Sequence, residues 1–364
     1  MAPSRRLRPV PRVAVRSLQE YAAMIKGSTV LREAARYIPS RPLRRYGRPV
    51  ALFFHGVTER IQDPRIEINH HTVDAFRAIA VQLKRDFDVL PLASIQEVLK
   101  RPGRYPRAVF LMSDDGYANT LVAADILEEL GLPWTLFVST EHVETGDFNP
   151  LIFARLFIYF APDGTWLLPH VDSAIVLRSE EDRRKAASWL LDALKRLPVA
   201  KARATVLAMK NAIAAERLSE LGTIFATERY LSWADVALLA RRGVEIGGHA
   251  HWHWPMNANQ SDEEILLQAT LPRAAIEAHV GRCLYFSYPF GNEGDISPAA
   301  RRAVREAGYT HAFTTLSGTL RGGTDPWLLP RYALKPQETN LSALVPLLRF
   351  GDPRVGRITR KLAA

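Results

Sequence analysis

The sequence holds one cysteine, Cys283, in 364 residues. A single thiol excludes an intrachain disulfide framework and a cysteine-cluster metal site, so any metal must be held by His, Asp or Glu. Long apolar runs are missing as well: no stretch approaches the roughly 18 apolar residues that a membrane-spanning helix needs. Near the N-terminus, "VAVRSLQEYAAMIKG" is broken by Arg16, Gln19 and Glu20 and so lacks the apolar core of a secretory signal. The expectation is a cytoplasmic protein, or one held peripherally on the inner face of a membrane. Acidic residues are scarce at one end only. Residues 1–50 carry twelve Lys/Arg against Glu20 and Glu33, which leaves the other 314 residues neutral as a set although the whole chain is +10. The basic charge therefore lies in an N-terminal arm, which argues against a nucleic-acid-binding core; the arm itself suits contact with an anionic membrane, an acidic polymer or nucleic acid, or is simply a solvated terminus, and nucleic acid is the least expected partner. A helix over 17–38 would put Leu18, Tyr21, Ala22, Ile25, Thr29 and Leu31 roughly on one face for such docking.

Apolar residues are plentiful, at 47%, enough for a large core. From residue 49 short apolar runs alternate with helical patterns: "PVALFF" precedes "TVDAFRAIAVQLKRDF", "RAVFLMS" precedes "ANTLVAADILEELGL", and "WTLFVS", "GVEIGGH", "CLYFSYP" and "HAFTT" continue the series. Strand and helix in alternation predict a mainly parallel α/β sheet or barrel, with ligands gathered where strands end. The rhythm breaks over about 150–229, an Ala-, Leu-, Arg- and Glu-rich region that reads as a helical insertion with Pro198 between two of its helices. The expected organisation is a basic extension over 1–48, a barrel over 49–335 carrying that insertion, and a basic tail over 336–364.

Four strand ends carry reactive side chains. "PVALFFHGVT" ends a buried run on His55, either a satisfied core histidine or part of a site. "VFLMSDDGY" presents Asp114 and Asp115 side by side. Adjacent carboxylates repel unless a cation or proton intervenes, although Asp-Asp-Gly is also an ordinary turn. "GVEIGGHAHWHWPM" places three histidines within five residues. On one helical turn His249 and His253 would share a face and, with Asp115, offer two nitrogens and one oxygen to a zinc-type ion; His251 is expected to point elsewhere. "YFSYPFGNEGD" runs into a turn whose backbone N–H could serve an oxyanion, or whose Tyr288 and Phe290 simply fill the barrel mouth.

In this order the motifs resemble the polysaccharide deacetylases, the NodB-homology or carbohydrate esterase family four group. The family's TFDDG appears as Met112-Ser113-Asp114-Asp115-Gly116, its H-[ST]-x-x-H as His249-Ala250-His251-Trp252-His253, and its R-x-P-Y as Ser287-Tyr288-Pro289-Phe290, with similar text over residues 49–335. The resemblance implies a distorted (β/α)7-type barrel and metal-dependent removal of an acetyl group, N-acetyl above all, from a sugar of a polysaccharide, glycolipid or glycan precursor. It implies Asp115, His249 and His253 as ligands of a divalent metal, Zn2+ first and Ni2+, Co2+ or Mn2+ as alternatives, and Asp114 as general base. The backbone of Phe290 would serve the oxyanion, with Tyr288, Tyr117 and Arg331 grouped beside it facing the substrate. Three departures stand out. Ser287 leaves vacant the place of an arginine that orients the base, for which Arg331 in "LLPRY" is the candidate replacement. Ala250 removes a hydroxyl that supports the metal histidines. No C-terminal L-x-x-H supplies a general acid, but Leu52-Phe53-Phe54-His55 is such a motif on the first strand, next to the last strand in a closed barrel. His55 is therefore expected to be the acid. Two readings compete with deacetylation: hydrolysis of another non-peptide C–N bond on the same site, and a non-catalytic carbohydrate-binding barrel.

Overall fold

A computed structural model describes residues 48–336 together with 339 and 341. The basic arm to residue 47, the helix expected over 17–38 and most of the tail over 336–364 lie outside the described residues. The strands, in chain order, are β1 (Val50–Phe54), β2 (Gly56–Thr58), β3 (His70–Thr72), β4 (Asp88–Val89), β5 (Ala108–Ser113) and β6 (Thr135–Val138). They continue with β7 (Gly164–Trp166), β8 (Ile175–Leu177), β9 (Glu245–Gly248), β10 (Tyr285–Ser287), β11 (His311–Phe313) and β12 (Tyr332–Ala333).

The main sheet runs β11-β10-β9-β6-β5-β1-β12, with β4 also on β5, and every pairing in it is parallel. Helices such as Val73–Asp86, Thr120–Glu129 and Asp262–Val280 return the chain between strands. Their starts are written in the sequence: Ser232 and Ser261 close capping boxes with Asp235 and Glu264. The sheet curls, because Leu329 bridges Phe313 of β11 and the same run then pairs with β1 at Leu52↔Tyr332. This is the expected (β/α) barrel.

Alternation along the strands sorts the side chains. Ala51, Phe53, Phe110, Met112, Phe137, Tyr285 and Phe313 fill the barrel interior. Their neighbours Val50, Leu52, Phe54, Val109, Leu111, Leu136, Val138, Ile246 and Phe286 form a second core beneath the helices. A third core belongs to residues 148–225, joined by Ile66 and Trp254. It holds the helices Pro150–Phe160, Glu180–Lys195, Val199–Asn211 and Ala215–Ile224, and an antiparallel hairpin of β7 with β8 that the helical reading of this region did not anticipate. The hairpin follows from Ile175, Val176 and Leu177, whose buried, exposed, buried pattern has a period of two. Among the described residues no helix is long and apolar enough to cross a membrane.

Gly56 opens β2 where nothing larger fits. A Cβ there would collide with Nδ1 of the buried His70 and with Oδ1 of Asn119. Gly56→Ala is expected to cost about 3 kcal/mol, the upper end for overpacking, read as a lower urea midpoint at unchanged slope.

Candidate functional site

The inner-face alternation continues past the strand ends and decides what gathers there. Phe53 is followed two residues later by His55, Met112 by Asp114, Gly247 by His249 and Tyr285 by Ser287. Phe54 pairs with Ser113, so His55 and Asp114 leave the ladder side by side, with Asp114 N–H donating to the Phe54 carbonyl at 3.0 Å. Asp115 would face outward, but its left-handed φ of 75° and that of Gly116 at 89° turn the chain and bring its carboxylate inward too.

Asp115 Oδ1 lies 3.1 Å from His249 Nε2 and 2.9 Å from His253 Nε2, and all three residues are buried. The two histidines do not sit on a helical turn as their spacing had suggested. His249 remains in strand register, its N–H donating to Val138 O at 2.9 Å, and left-handed Ala250 (φ 59°) and His253 (φ 49°) then fold a loop that returns the second ring. Gln268 braces this loop, accepting from Trp252 N–H at 2.9 Å and donating to Trp254 O at 3.0 Å.

The donor set fits a cation. His249 Nδ1 stands 2.8 Å from the Ser287 carbonyl, which can only accept, so Nδ1 carries the proton. A neutral His249 then aims the bare lone pair of Nε2 at the Asp115 carboxylate, a repulsive contact unless a proton or metal ion lies between. Burial works against charge on both groups. Even so, Asp114 and Asp115 hold the His249 pKa above its ordinary value, and His253, His55 and His249 hold Asp115 well below the usual carboxylate range. Asp115, His249 and His253 bring three ligand atoms within 4.8 Å of one another.

Asp114 has a different counterion. Arg331, fully buried, rises through the aromatic interior and grips it with two bonds, Nη1 to Oδ1 at 2.8 Å and Nη2 to Oδ2 at 2.7 Å. Nε donates to Thr314 O at 3.0 Å, Nη2 also donates to Ser287 Oγ at 2.7 Å, and the guanidinium lies 4.2 Å above the Phe53 ring. The position that Ser287 leaves without an arginine is thus reached from the start of β12, and the serine hydroxyl joins the cluster. Burial pushes the Asp114 pKa up, but Arg331 and His249 outweigh it and hold it below the ordinary value.

The remaining candidates separate. His55 stands within the field of Asp115 and Asp114; burial lowers its pKa and the two carboxylates oppose that shift. Phe290 is left-handed (φ 61°), its ring 5.1 Å from that of His253, and its N–H makes no hydrogen bond among the described residues. Tyr288 departs from its expected place: one residue out of register with Ser287, it points outward into the core beneath the helices, 5.2 Å from Phe286. Tyr117 is buried under Asp115 against Tyr230 rather than facing substrate. His251 bonds Thr140 Oγ1 through Nδ1 at 2.8 Å, and the Ala250 methyl lies in the outer core, where a hydroxyl would not face the ligand rings. No motif points to Thr314, which holds the Arg331 Nε, or to Tyr230; Asn149, which donates to the Tyr230 hydroxyl, reads in sequence only as a helix start. A cavity of about 300 Å³, lined by Glu141, His142, Phe153, Arg203, Trp252 and Trp254, lies beside the histidine loop; Asp114, Asp115, His249, His253 and His55 are not in its walls.

The Asp114–Arg331 pair gives a signed pH test. With its pKa depressed in the folded state, Asp114 contributes stability that is present above its unfolded value of 3.8 and is lost as pH falls through the folded value. In Arg331→Gln the carboxylate is buried without its cation, so its folded pKa rises and the folded state gains from protonation. The variant is expected to lose about 3–5 kcal/mol at pH 7. That deficit should shrink toward pH 4, as measured by denaturation of the metal-free proteins.

A family model described as polysaccharide deacetylase matches residues 181–312, a span that contains His249, His253 and the 287–290 turn but begins after the Asp114–Asp115 strand. No curated protein sequence matches the chain. Among solved structures it is similar to the Streptococcus pyogenes deacetylase PplD in complex with acetate, at 13% identity and a TM-score of 0.53, covering 83% of this chain and 99% of that one. It is similar to BC0361, a polysaccharide deacetylase from Bacillus cereus, at 12% identity and TM-score 0.51 over 83% and 69% of the two chains. It is also similar to IcaB from Ammonifex degensii, at 15% identity and TM-score 0.50 over 83% and 97%. At these identities the structural likeness speaks for the fold alone, and the family match speaks for the segment it covers. The chain is thus similar to the polysaccharide deacetylases in the segment 181–312 and in the order of its motifs, and it shares the fold of these solved deacetylase structures.

Proposed function

We propose that this protein is a metal-dependent hydrolase that removes an acetyl group, N-acetyl first, from a sugar of a polysaccharide, glycolipid or glycan precursor. The observation that carries this reading is the pairing of two adjacent buried carboxylates with different partners, Asp115 with two imidazoles and Asp114 with a guanidinium. Asp115, His249 and His253 would hold the ion, with Zn2+ favoured by two nitrogens and one oxygen. Bound there, such an ion would supply Lewis acidity toward an acyl carbonyl and toward water.

The chain's own groups do the rest. Asp114, kept ionised by Arg331, accepts a proton from the attacking water; both of its oxygens are already oriented by the guanidinium, so its remaining lone pairs have a fixed direction. The Phe290 N–H, without a partner among the described residues, donates to the oxygen on which charge develops. His55, beside Asp114 across the ladder, protonates the departing nitrogen. The cavity beside the histidine loop offers aromatic surface next to the site, in keeping with an extended glycan.

The test is acetate release from N-acetylhexosamine oligomers by zinc-loaded protein, abolished by chelation and restored by metal. Asp114→Asn is expected to lower turnover by at least about 100-fold, the usual worth of a general base, with zinc content unchanged. His55→Ala should show the same pattern; loss of zinc in that variant would make His55 a ligand instead of an acid. Full activity in Asp114→Asn, or no acetate release across a broad panel of acetylated sugars, would refute the proposal.

A further inference from the structure

The cavity of about 300 Å³ lies where the helical insertion meets the barrel, and none of the metal-site residues is in its walls. One wall is a single stripe of the helix Val199–Asn211. Val199, Ala202, Arg203, Val206, Leu207 and Lys210 stand at i, i+3, i+4, i+7, i+8 and i+11, the spacing of one helical face, and all six line the cavity. The segment 141–148 after β6 supplies a second wall, and Trp252 of the histidine loop adds an aromatic one. Glu141 N–H donates to His251 O at 3.0 Å, so the second wall is fastened to the loop that carries His253.

The helix stripe and the barrel segment are joined by one arrangement used twice. Arg203 pairs with Glu141, and its guanidinium lies 5.5 Å from the Trp252 ring. Lys210 pairs with Asp147 at 3.1 Å, and its ammonium lies 3.8 Å from the Phe153 ring. Each cation in the lining therefore already has its carboxylate, and an anionic ligand finds no spare positive charge. His142 lines the same space at 3% exposure, its ring stacked on Tyr230 at 4.8 Å. Neither of its nitrogens has a hydrogen-bond partner among the described residues; the Trp252 backbone lies near the ring but completes no bond with it. A neutral imidazole presents one donor and one acceptor, and leaving both unused in a buried place costs free energy that a bound hydroxyl would recover. A hydrocarbon chain would leave that cost in place. A pyranose has the complementary surface: C–H groups on its faces for the half-buried rings of Trp252 and Phe153, and hydroxyls at its rim for the imidazole and the two ion pairs.

We infer that this cavity is a saccharide subsite, separate from the metal site, that holds a neutral sugar unit of the glycan. The inference rests on the proposed action on a glycan and names what a distant part of that chain meets. A glycan long enough to reach both places gains from the second contact without any change at the acetyl group, so oligomers are preferred over single sugars.

The experiment measures, by calorimetry on the full-length protein with and without Zn2+, the binding of neutral hexose and N-acetylhexosamine sugars from single units to pentamers. At least one oligomer is expected to bind in both conditions, because the cavity shares no residue with the three metal-ligand candidates. Leu207 is 58% exposed, so a larger side chain is tolerated there, and Leu207→Trp is expected to weaken this binding about 10-fold by filling the cavity. His142→Phe keeps a ring but removes its donor and acceptor, and should weaken it by a similar factor. In acetate release both variants should raise the KM of the oligomer about 10-fold, the mark of lost uniform binding. No binding of any neutral oligomer, binding that requires Zn2+, wild-type affinity in either variant, or tighter binding of a phosphorylated sugar or a fatty acid than of every neutral oligomer would each overturn the subsite. Oligomer binding that both variants weaken, without acetate release, refutes the deacetylase reading and leaves the subsite standing. Acetate release that neither variant alters refutes the subsite alone.

Discussion

Two carboxylates side by side at the end of a buried strand set the terms for this molecule. Neither Asp114 nor Asp115 can stay ionised away from water without a compensating charge, and the two cannot share one, because the left-handed turn at Asp115 sends their side chains to different neighbours. One receives a guanidinium held in place by Thr314, Ser287 and the Phe53 ring. The other receives two imidazoles, and the bond from His249 Nδ1 to the Ser287 carbonyl leaves the Nε2 lone pair of that ring facing it. Identical residue types thereby acquire distinct chemistry, one suited to moving a proton and the other to holding a cation.

The parallel barrel makes this division affordable in geometric terms. Inward positions on successive strands converge at one end, so residues from β1, β5, β9, β10 and the approach to β12 meet although they are spread over most of the chain. Outward positions build the layer under the helices, and the helical region over 148–225 adds a core of its own. That region is not merely attached. Tyr230 and Asn149 connect it to the floor of the site, and Trp254 enters its core from the histidine loop.

Much of this was legible in the sequence, and the failures are instructive. The strand-helix alternation gave the barrel, and the motif text gave the grouping of Asp114, Asp115, His249 and His253. Leu52-Phe53-Phe54-His55 pointed to a histidine that the structure places beside Asp114. A spacing of four suggested a helical turn for the histidines, but the residues form a loop with two left-handed positions, a conformation that no periodicity announces. Tyr288 was expected to face substrate because it belongs to a motif; the period of two, counted from Ser287, would have sent it outward. Tyr117 was misread for a similar reason, since sequence does not show that Tyr230 waits on the other side of its ring. Asn149-Pro150 is a recognisable helix start, but the second use of that asparagine depends on a contact 81 residues away.

Arg331 stands at the start of the last described strand, and Asp114 lies more than two hundred residues before it. The pairing is therefore among the longest-range contacts in the fold. Arg331 immediately precedes Tyr332, which pairs with Leu52 of β1, so the residue that orients the proposed base also adjoins the strand that meets the first one. A substitution that disturbs the guanidinium therefore acts on the candidate site and on that edge of the barrel together.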